Sequence, residues 1–207
     1  MIIHLVRHGQ TIWNKDRIFQ GQSDVDLTDL GRTQSRLVAA KILEYGPSAV
    51  YTSPLSRTRH IADVIANGIN KTSIEVQELL ELDLGMLEGK TGEDLREHWP
   101  EIIEQWRQFP SRVTMPSGES FLELHSRVTK SLYDLVDSNT ESPIVIVSHN
   151  FVIKILICEI LGLTVDSLHK VNIDLASVST IEIDHDSSSL LMMNGTSHLD
   201  HCLEVQT

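Results

Sequence analysis

The sequence has few of the features that mark secreted, membrane-spanning or nucleic-acid-binding proteins. Its two cysteines, Cys158 and Cys202, are too few for a disulfide framework and do not form a CxxC pair. No apolar run approaches the 18 or so residues that a membrane helix requires, and the first residues lack the apolar stretch and cleavage site of a signal peptide. Basic residues number 17 and acidic residues 29, so the formal net charge is −12, which disfavours nucleic acid and anionic membranes as partners. We therefore expect a cytoplasmic protein that binds neither nucleic acid nor membranes.

Length and composition predict a single globular domain. The chain has 207 residues, of which 41% are hydrophobic, and no Pro/Gly-rich linker divides it. At roughly 150 residues per domain, this is one large domain or one domain with an insertion. A chain of this length buries about 70% of its unfolded surface, so it needs no metal or disulfide to hold it together. We expect residues 1–207 to form one domain.

Short β-branched runs alternate along the chain with segments of helical periodicity. Buried strands are predicted at residues 2–6, 49–51, 144–147 and 178–183, and helices at about 28–44, 54–66, 121–135 and 151–161. Turn residues at 184–189, followed by an apolar stretch, predict a hairpin after the last of these strands. The alternation predicts an α/β fold, a three-layer α/β/α sandwich whose central sheet is mostly parallel.

Residues 86–120 do not follow this alternation. Aromatic residues are interspersed there with arginines and prolines, and Thr91 with Asp94 has the spacing of a helix capping box. We predict that this segment is a small, mostly helical insertion over the active site.

Basic residues follow three of the predicted strands at the point where each strand ends. Arg7 and His8 end the first strand, Arg57 lies one helical turn after the second, and His149 follows the strand at 144–147. In an open α/β sheet ligands bind beyond the carboxyl ends of the strands, so these side chains are expected to converge there. Two arginines favour a doubly charged oxyanion such as phosphate, because each guanidinium is a rigid fork that matches phosphate oxygens.

The two histidines have two possible roles, as ligands of a metal ion or as a nucleophile. A zinc site would need a third or fourth ligand at a recognisable spacing, the sequence contains no HExxH motif, and neighbouring arginine cations disfavour a dication. An imidazole can instead attack phosphorus, and the resulting phosphohistidine is later hydrolysed. That reaction needs a carboxylic acid to protonate the leaving oxygen, and the acids of residues 78–88 are the candidates. We expect neither a metal nor a cofactor.

The segment Leu5-Val6-Arg7-His8-Gly9-Gln10-Thr11 resembles the signature of the histidine phosphatase superfamily, the phosphoglycerate-mutase-like family. Further matching segments follow in the same order and extend the resemblance from about residue 2 to residue 200. They are Asn14, Gln20-Gly21, Leu27-Thr28, residues 53–58, residues 80–89, Gly118-Glu119-Ser120 and Val147-Ser148-His149.

The resemblance implies a role for each residue of the central set. His8 corresponds to the phosphorylated nucleophile, and Arg7, Arg57 and His149 correspond to the groups that hold the phosphoryl oxygens. On electrostatic grounds we expect His149 to be protonated, so that it spreads positive charge over these oxygens together with the two arginines. Glu81 corresponds to the general acid that protonates the leaving group and later activates water.

Further residues are expected to contact the substrate. Asn14, Gln20 and Gly21 match secondary contacts of the family, whereas Glu88 matches an acid with a structural role. Asn150 departs from the pattern, because the family often has Gly directly after the second histidine. Its side chain either contacts the substrate or caps the following helix, and the N-cap preference of Asn favours the cap.

The family includes phosphatases, mutases and proteins that only bind partners. About 30 residues separate Gly89 from Glu119, whereas the cofactor-dependent mutases have extra sequence in this region. The resemblance therefore implies a phosphoric monoester hydrolase of the histidine acid phosphatase type, metal-independent and acting through a phosphohistidine. The alternative is a cofactor-dependent phosphoglycerate mutase. A catalytically silent binding protein is disfavoured because the catalytic set is complete.

The expected substrates are small phosphorylated metabolites, namely sugar phosphates, phosphoglycerate, phosphoserine or a nucleotide such as α-ribazole phosphate. Specificity in the family lies largely in the insertion, where Arg107 and Arg112, together with Lys15, are candidates for binding a carboxylate or second phosphate. The alternative is that these three are solvated surface charges. A homodimer is a family-level expectation.

Overall fold

A single mixed sheet forms the centre of the molecule. The computed structural model describes residues 1–184 and 187–200, and within this range six strands pair in the order β3-β2-β4-β1-β5-β6. Strands β3, β2, β4 and β1 are parallel, and β5 and β6 continue the sheet in antiparallel pairing. The strands are β1 (Ile2–Arg7), β2 (Ala49–Thr52), β3 (Ile74–Glu75), β4 (Ile144–Ser148), β5 (Val178–Ile183) and β6 (Ser188–Gly195).

Helices cover both faces of the sheet, as the predicted three-layer sandwich requires. The α-helices are α1 (Ile12–Lys15), α2 (Asp29–Leu43), α3 (Ser56–Gly68), α4 (Gly92–His98), α5 (Pro100–Gln108), α6 (Phe121–Ser138) and α7 (Asn150–Ile160). Short 3-10 helices lie at Gln77–Leu79, Gly85–Leu87, Pro110–Arg112, Val165–Lys170 and Ser197–Leu199. No helix in these described residues is both long and apolar enough to cross a membrane.

The alternation of side chains along β4 shows how the two cores form. Ile144 and Ile146 pack into the core beneath α6 and α7, whereas Val145 and Val147 point to the opposite core beneath α2 and α3. Successive residues of a strand face opposite sides, so a strand with a helical layer on each face must be apolar at every position. This explains the continuous apolar run that identifies β4 in the sequence.

The last two strands form the antiparallel part of the mostly parallel sheet. The hairpin of β5 and β6 is confirmed, although part of its turn lies outside the described residues. Strand β5 runs antiparallel to β1, with Val178 opposite Val6. The chain between α7 and β5 returns to the carboxyl edge of the sheet, where the amide of Ala176 donates to the carbonyl of His8. Strand β5 therefore starts at the carboxyl end of β1 and runs back along it.

Helix caps explain where the helices begin. Thr28 accepts a hydrogen bond from the amide of Gly31, which confirms the predicted start of α2. Helix α3 begins at Ser56, two residues later than Pro54 suggests, because the amide and hydroxyl of Ser56 both donate to the carboxylate of Asp24. An acid at a helix N-terminus also complements the helix dipole.

The insertion is mostly helical, as predicted. It contains α4, which starts with the predicted capping box of Thr91 and Asp94, and α5. The Trp106 ring of α5 packs against the rings of Phe19, Phe121 and Phe151. These contacts fix the insertion against the start of α7, next to the carboxyl ends of the parallel strands.

Candidate active site

A cavity of about 700 Å³ lies at the carboxyl ends of the parallel strands. Nine residues were predicted from the sequence as the catalytic and substrate-binding set, and eight of them line this cavity, namely Arg7, His8, Asn14, Gln20, Gly21, Arg57, Glu81 and Asn150. The ninth, His149, is completely buried directly behind the cavity, with its ring centroid 5.3 Å from that of His8. The structure therefore brings the whole predicted set together.

His8 is held in the protonation state that a nucleophile needs. Its Nδ1 lies 2.8 Å from the carbonyl oxygen of Gly9 and donates to it, which leaves the lone pair on Nε2. Burial lowers the pKa of His8 well below 6.5, and the cations of Arg57 and Arg7 lower it further. The imidazole is therefore neutral at neutral pH, and its tautomer is set by the backbone.

Arg7 presents an unused donor. Its Nη1 donates to the carbonyl of Ile173 at 2.5 Å, whereas its Nε is buried without a hydrogen-bond partner among the residues that the structure describes. Buried donors are nearly always paired, so an unpaired guanidinium nitrogen at a cavity indicates a place for an acceptor. Burial lowers the pKa of Arg7 to about 10, against the opposing effect of Glu81 and Asp174. The side chain is still a cation at neutral pH.

Arg57 is clamped by a loop and by the second histidine. Its Nη1 donates to the carbonyl of Ser23 and its Nη2 to that of Gly21, both at 2.7 Å, while its Nε donates to Nδ1 of His149 at 3.3 Å. A guanidinium has five N–H donors, so two of them are left for a ligand. Burial lowers the pKa of Arg57 to about 10, and the side chain also remains charged.

The carboxylate of Glu88 organises the loop that clamps Arg57. It accepts hydrogen bonds from the amide of Gln22 at 2.7 Å and from the amide and hydroxyl of Ser23 at 3.0 and 2.5 Å. Gly21 has a φ of +52°, and a Cβ atom there would lie 2.1 Å from the Glu88 carboxylate. The packing of this loop therefore requires glycine at position 21, which also lines the cavity.

The charge expected on His149 is wrong. Its Nδ1 accepts from Arg57, and its Nε2 lies 2.8 Å from Oγ of Ser53, to which it donates. Complete burial lowers the pKa of His149 well below 6.5, and Arg57 adds to this effect. The ring is therefore neutral, and the positive charge of the site is carried by Arg7 and Arg57. Sequence reasoning missed Ser53 as the partner of His149, although its position at the carboxyl end of β2 was a signal.

Glu81 is a buried acid whose carboxylate contacts the start of α7. Its carboxylate oxygens accept hydrogen bonds from the amide of Leu82 at 2.9 Å and from the amide of Phe151 at 3.2 Å. Burial raises the pKa of Glu81 above 4.5, and this effect outweighs the two amides and the two arginine cations, which lower it. A carboxyl group with a raised pKa beside a cavity is suited to donate a proton.

Two amide side chains are oriented by Thr11. Asn14 forms a capping box with Thr11 at the start of α1, which uses its carbonyl oxygen. The Gln20 carbonyl oxygen accepts from the Thr11 hydroxyl at 2.8 Å. Because both carbonyl oxygens are used, both side chains have amide nitrogens left to donate into the cavity that they line.

Asn150 does not cap the helix that follows it. It is the first residue of α7, His149 occupies the N-cap position, and no side chain forms a cap hydrogen bond there. The preference for a cap is therefore wrong, and Asn150 lies in the cavity wall. The reason is that the backbone of His149 is extended while that of Asn150 is already helical.

Four exposed charged residues surround the outer part of the cavity. We call Asp16, Arg17, Glu93 and Arg96 the rim. None of the four forms an ion pair with another side chain in the described part of the chain, and Arg17 has a φ of +57°, which side chains rarely adopt.

The basic residues suggested by the sequence lie elsewhere. Lys15, Arg107 and Arg112 do not line the cavity, and Arg112 instead lies over the ring of Phe109 at 4.6 Å. The sequence position of a single charged residue does not show whether its side chain points toward the cavity or away from it.

Comparisons with known proteins agree with this architecture. A family model described as the histidine phosphatase superfamily (branch 1) matches residues 3–196. Phosphoserine phosphatase 1 of Hydrogenobacter thermophilus is 31% identical over 195 residues, which covers 94% of this chain and 92% of that protein. A Yersinia pestis protein named Probable phosphoglycerate mutase GpmB is 34% identical over 184 residues, 87% of this chain and 84% of its own length. The structure of Bacillus stearothermophilus YhfR superposes with a TM-score of 0.91 at 28% identity, covering 96% of this chain and 99% of that one.

Proposed function

Because the chain belongs to the histidine phosphatase superfamily, we propose that it is a metal-independent phosphoric monoester hydrolase, of the histidine acid phosphatase type, acting on small phosphorylated metabolites. The observation that carries the proposal is the neutral His8 imidazole, tied back through Nδ1, beside two arginine cations with unused N–H donors. A phosphoryl group would meet a nucleophile and its counter-charges in one cavity.

The proposed reaction has two steps. Nε2 of His8 attacks phosphorus, and the P–O bond to the alcohol breaks as Glu81 gives its proton to the leaving oxygen. The Glu81 carboxylate then takes a proton from water, which attacks phosphorus and releases orthophosphate, so that His8 and the Glu81 acid are restored. Arg7 and Arg57 stabilise the negative charge on the equatorial oxygens, and loss of one such donor costs about 3 kcal/mol of transition-state stabilisation.

Trapping of the phosphoenzyme tests this proposal. Brief reaction with labelled substrate and acid-free quenching should place an acid-labile, base-stable phosphoryl group on His8, and His8→Ala should abolish labelling. Turnover should be unaffected by EDTA, because two arginines, not a metal ion, supply the positive charge. Label on His149 or on a serine, or activity lost to EDTA and restored by a divalent ion, would show the mechanism to be wrong. Binding of substrate without any turnover would favour the silent binding protein.

The rim supports a narrower substrate class. Arg17 and Arg96 are two cations without ion-pair partners among the described residues, and the cavity is far larger than a phosphate group. The acids Asp16 and Glu93 balance their charge, which disfavours a second phosphate with its two negative charges. We propose that the other end of the ester carries a carboxylate.

A matched pair of substrates tests the rim. 3-Phosphoglycerate and glycerol 3-phosphate share a three-carbon skeleton and differ in a carboxylate against a hydroxymethyl group. Arg17→Gln and Arg96→Gln should each lower the kcat/KM ratio of the first to the second about fivefold, which corresponds to the ~1 kcal/mol of a solvent-exposed ion pair. Arg107→Gln, a basic residue outside the cavity, is the matched control. Equal ratios in all variants would contradict the proposal.

The same assay separates the phosphatase from the mutase. The phosphatase should release orthophosphate from 3-phosphoglycerate, whereas a mutase would form the 2-isomer with stimulation by 2,3-bisphosphoglycerate. A cytoplasmic location, the absence of nucleic-acid and membrane partners, and a homodimer stay predictions.

A further inference from the structure

Arg127 on α6 donates hydrogen bonds to the segment that carries Glu81 and to the carboxylate of Glu119. Its Nη1 donates to the carbonyls of Glu78 and Leu80 at 2.6 and 2.8 Å, and its Nη2 donates to the carbonyl of Glu81 at 3.0 Å. Its Nε and Nη2 also pair with both carboxylate oxygens of Glu119 at 2.6 and 2.8 Å. These five hydrogen bonds use every donor of the guanidinium.

Glu119 contacts both Arg127 and the part of the segment that follows Glu81. Its amide donates to the carbonyl of Asp83 at 2.9 Å, and a Cβ atom at the neighbouring Gly118 would lie 2.4 Å from that carbonyl oxygen. The glutamate therefore joins Arg127 to the residues on both sides of Glu81. This gives a physical role to Gly118-Glu119-Ser120, a motif to which sequence reasoning assigned none.

The Glu81 side chain depends on its backbone for its position. Its carboxyl group is held by two backbone amides, those of Leu82 and Phe151. The Glu81 carbonyl is fixed by two donors, Arg127 and the Nε2 of Gln22 at 3.0 Å. A shift of the carbonyl would move the carboxyl group, and misplacement of a reacting group by about 1 Å can cost 10²-fold in rate.

We propose that Arg127 is a positioning residue for the proton donor Glu81. It contacts the backbone of the segment and lies outside the cavity, so it acts through Glu81 and not on the substrate. Its effect should then be confined to the step in which Glu81 donates a proton. The inference rests on the proposed function, because it needs Glu81 to be the general acid.

The choice of leaving group distinguishes positioning from a merely structural role. An alkoxide leaves poorly and needs the proton, whereas p-nitrophenolate leaves without it. A general structural defect would slow both esters equally. We therefore compare kcat/KM, which reports the phosphorylation step, for an alkyl phosphate and for p-nitrophenyl phosphate.

The expected result is a selective loss. Arg127→Ala should lower the alkyl-to-aryl ratio of kcat/KM at least tenfold, and Arg127→Lys should lower it too, because three donors on a point charge cannot replace five in a fork. Lys130→Ala is the matched control: it removes a cation one turn further along α6, where the lysine is exposed and pairs with Asp134. Its ratio should not change.

Chemical rescue provides an independent readout. Arg127 lines two surface pockets, one shared with Glu78 and the other with Asp83 and Glu119, so guanidinium can reach the space left in Arg127→Ala. Guanidinium chloride at low, non-denaturing concentration should restore the alkyl-to-aryl ratio of this variant, while sodium chloride at equal ionic strength should not. If Arg127→Ala does not fold, Arg127→Lys and Glu119→Gln test the ratio in its place.

Glu81→Gln separates failure of this inference from failure of the proposed function. If Glu81→Gln lowers the ratio and the Arg127 variants slow both esters equally, Arg127 is structural and the inference is wrong. If Glu81→Gln itself leaves the ratio unchanged, Glu81 is not the proton donor and the proposed mechanism fails first.

Discussion

At the residue scale, burial sets the charges of the candidate site. The same desolvation that lowers the pKa of His8 and His149 raises that of Glu81, because burial always penalises the charged form. The two arginines also lose part of their basicity, but a pKa of about 10 keeps them charged. The site thus combines a neutral nucleophile, an acid whose pKa is raised by burial, and two cations. None of these states follows from residue identity alone.

The roles of Glu81 and Glu88 can be separated by substitution. The amides of Gln22 and Ser23 donate to different oxygens of the Glu88 carboxylate, so Glu88→Gln would turn an N–H₂ group toward one of these two donors. The loop that clamps Arg57 should shift, and phosphoryl binding should weaken. We expect Glu88→Gln to lower kcat/KM at least tenfold for alkyl and aryl phosphates alike, because Arg57 serves both; donors of this kind contribute several kcal/mol.

The contrast with neighbouring acids provides the control. Asp83→Asn alters an acid whose carboxylate accepts from the amide of Gly85, outside the Arg57 loop, and should have a smaller effect on either ester. A selective loss on alkyl phosphates in Glu88→Gln, with none in Glu81→Gln, would mean that the proton donor has been assigned to the wrong acid.

At the element scale, the strands and helices that could be predicted from the sequence are those determined by residues close together in the chain. The strand β4 is an apolar run with helices on both faces, and α6 shows its buried stripe of Phe121, Leu124, Val128, Leu132 and Leu135 at helical spacing. The caps at Thr28 and Thr91 are formed by residues within three positions of each other. Such features are readable because both partners lie in the same short segment.

The elements that escaped prediction depend on distant partners. The start of α3 is set by Asp24, 32 positions before Ser56. The direction of β5 is set by where the preceding loop crosses the sheet. Neither the cap nor the crossing has a signature in the sequence near the element that it controls.

The candidate site shows the same division. Residues that act through their own side chains, such as His8 and Glu81, could be recognised from motifs. Residues that act on backbone carbonyls could not, because any residue provides a carbonyl. Arg127, which binds three of them, has no distinguishing pattern until the chain is folded. Arg96 of the rim was not assigned to the site for a related reason, because its exposure and direction depend on the packing of the insertion.

At the scale of the whole molecule, buried neutral histidines oppose the effect of the net charge. With a formal charge of −12, acidification first reduces self-repulsion, which favours the folded state. Buried bases act in the other direction, because the unfolded chain binds protons that the folded chain excludes. His4 is the clearest case outside the cavity: its Nδ1 lies 3.0 Å from Oγ1 of Thr180, and its ring stacks on Tyr45 at 4.6 Å.

Acid sensitivity of the fold should therefore depend in part on His4. Burial lowers the pKa of His4 from 6.5 to about 4. Above pH 6.5 neither state binds the proton and His4 has no effect on the pH dependence of stability. As the pH falls from 6.5 toward 4, the unfolded state is protonated first, so the free energy of unfolding falls by up to ~1.4 kcal/mol per pH unit for one such group. Below about pH 4 both states are protonated and this contribution levels off.

His4→Gln can test this because glutamine keeps a polar group for Thr180 and cannot titrate. At pH 8 the variant should be less stable than the parent protein, because it loses the packing of the His4 ring against Tyr45. Between pH 6.5 and 5 its free energy of unfolding should fall by less than that of the parent. The measurement is the free energy of unfolding in urea at several pH values, with proton uptake on unfolding followed directly. Uptake in this interval should be smaller in the variant, by the fraction of His4 that titrates in the unfolded chain. Identical uptake by the two proteins would mean that His4 is protonated in the folded state as readily as in the unfolded one, and that its buried contacts with Thr180 and Tyr45 do not keep it neutral.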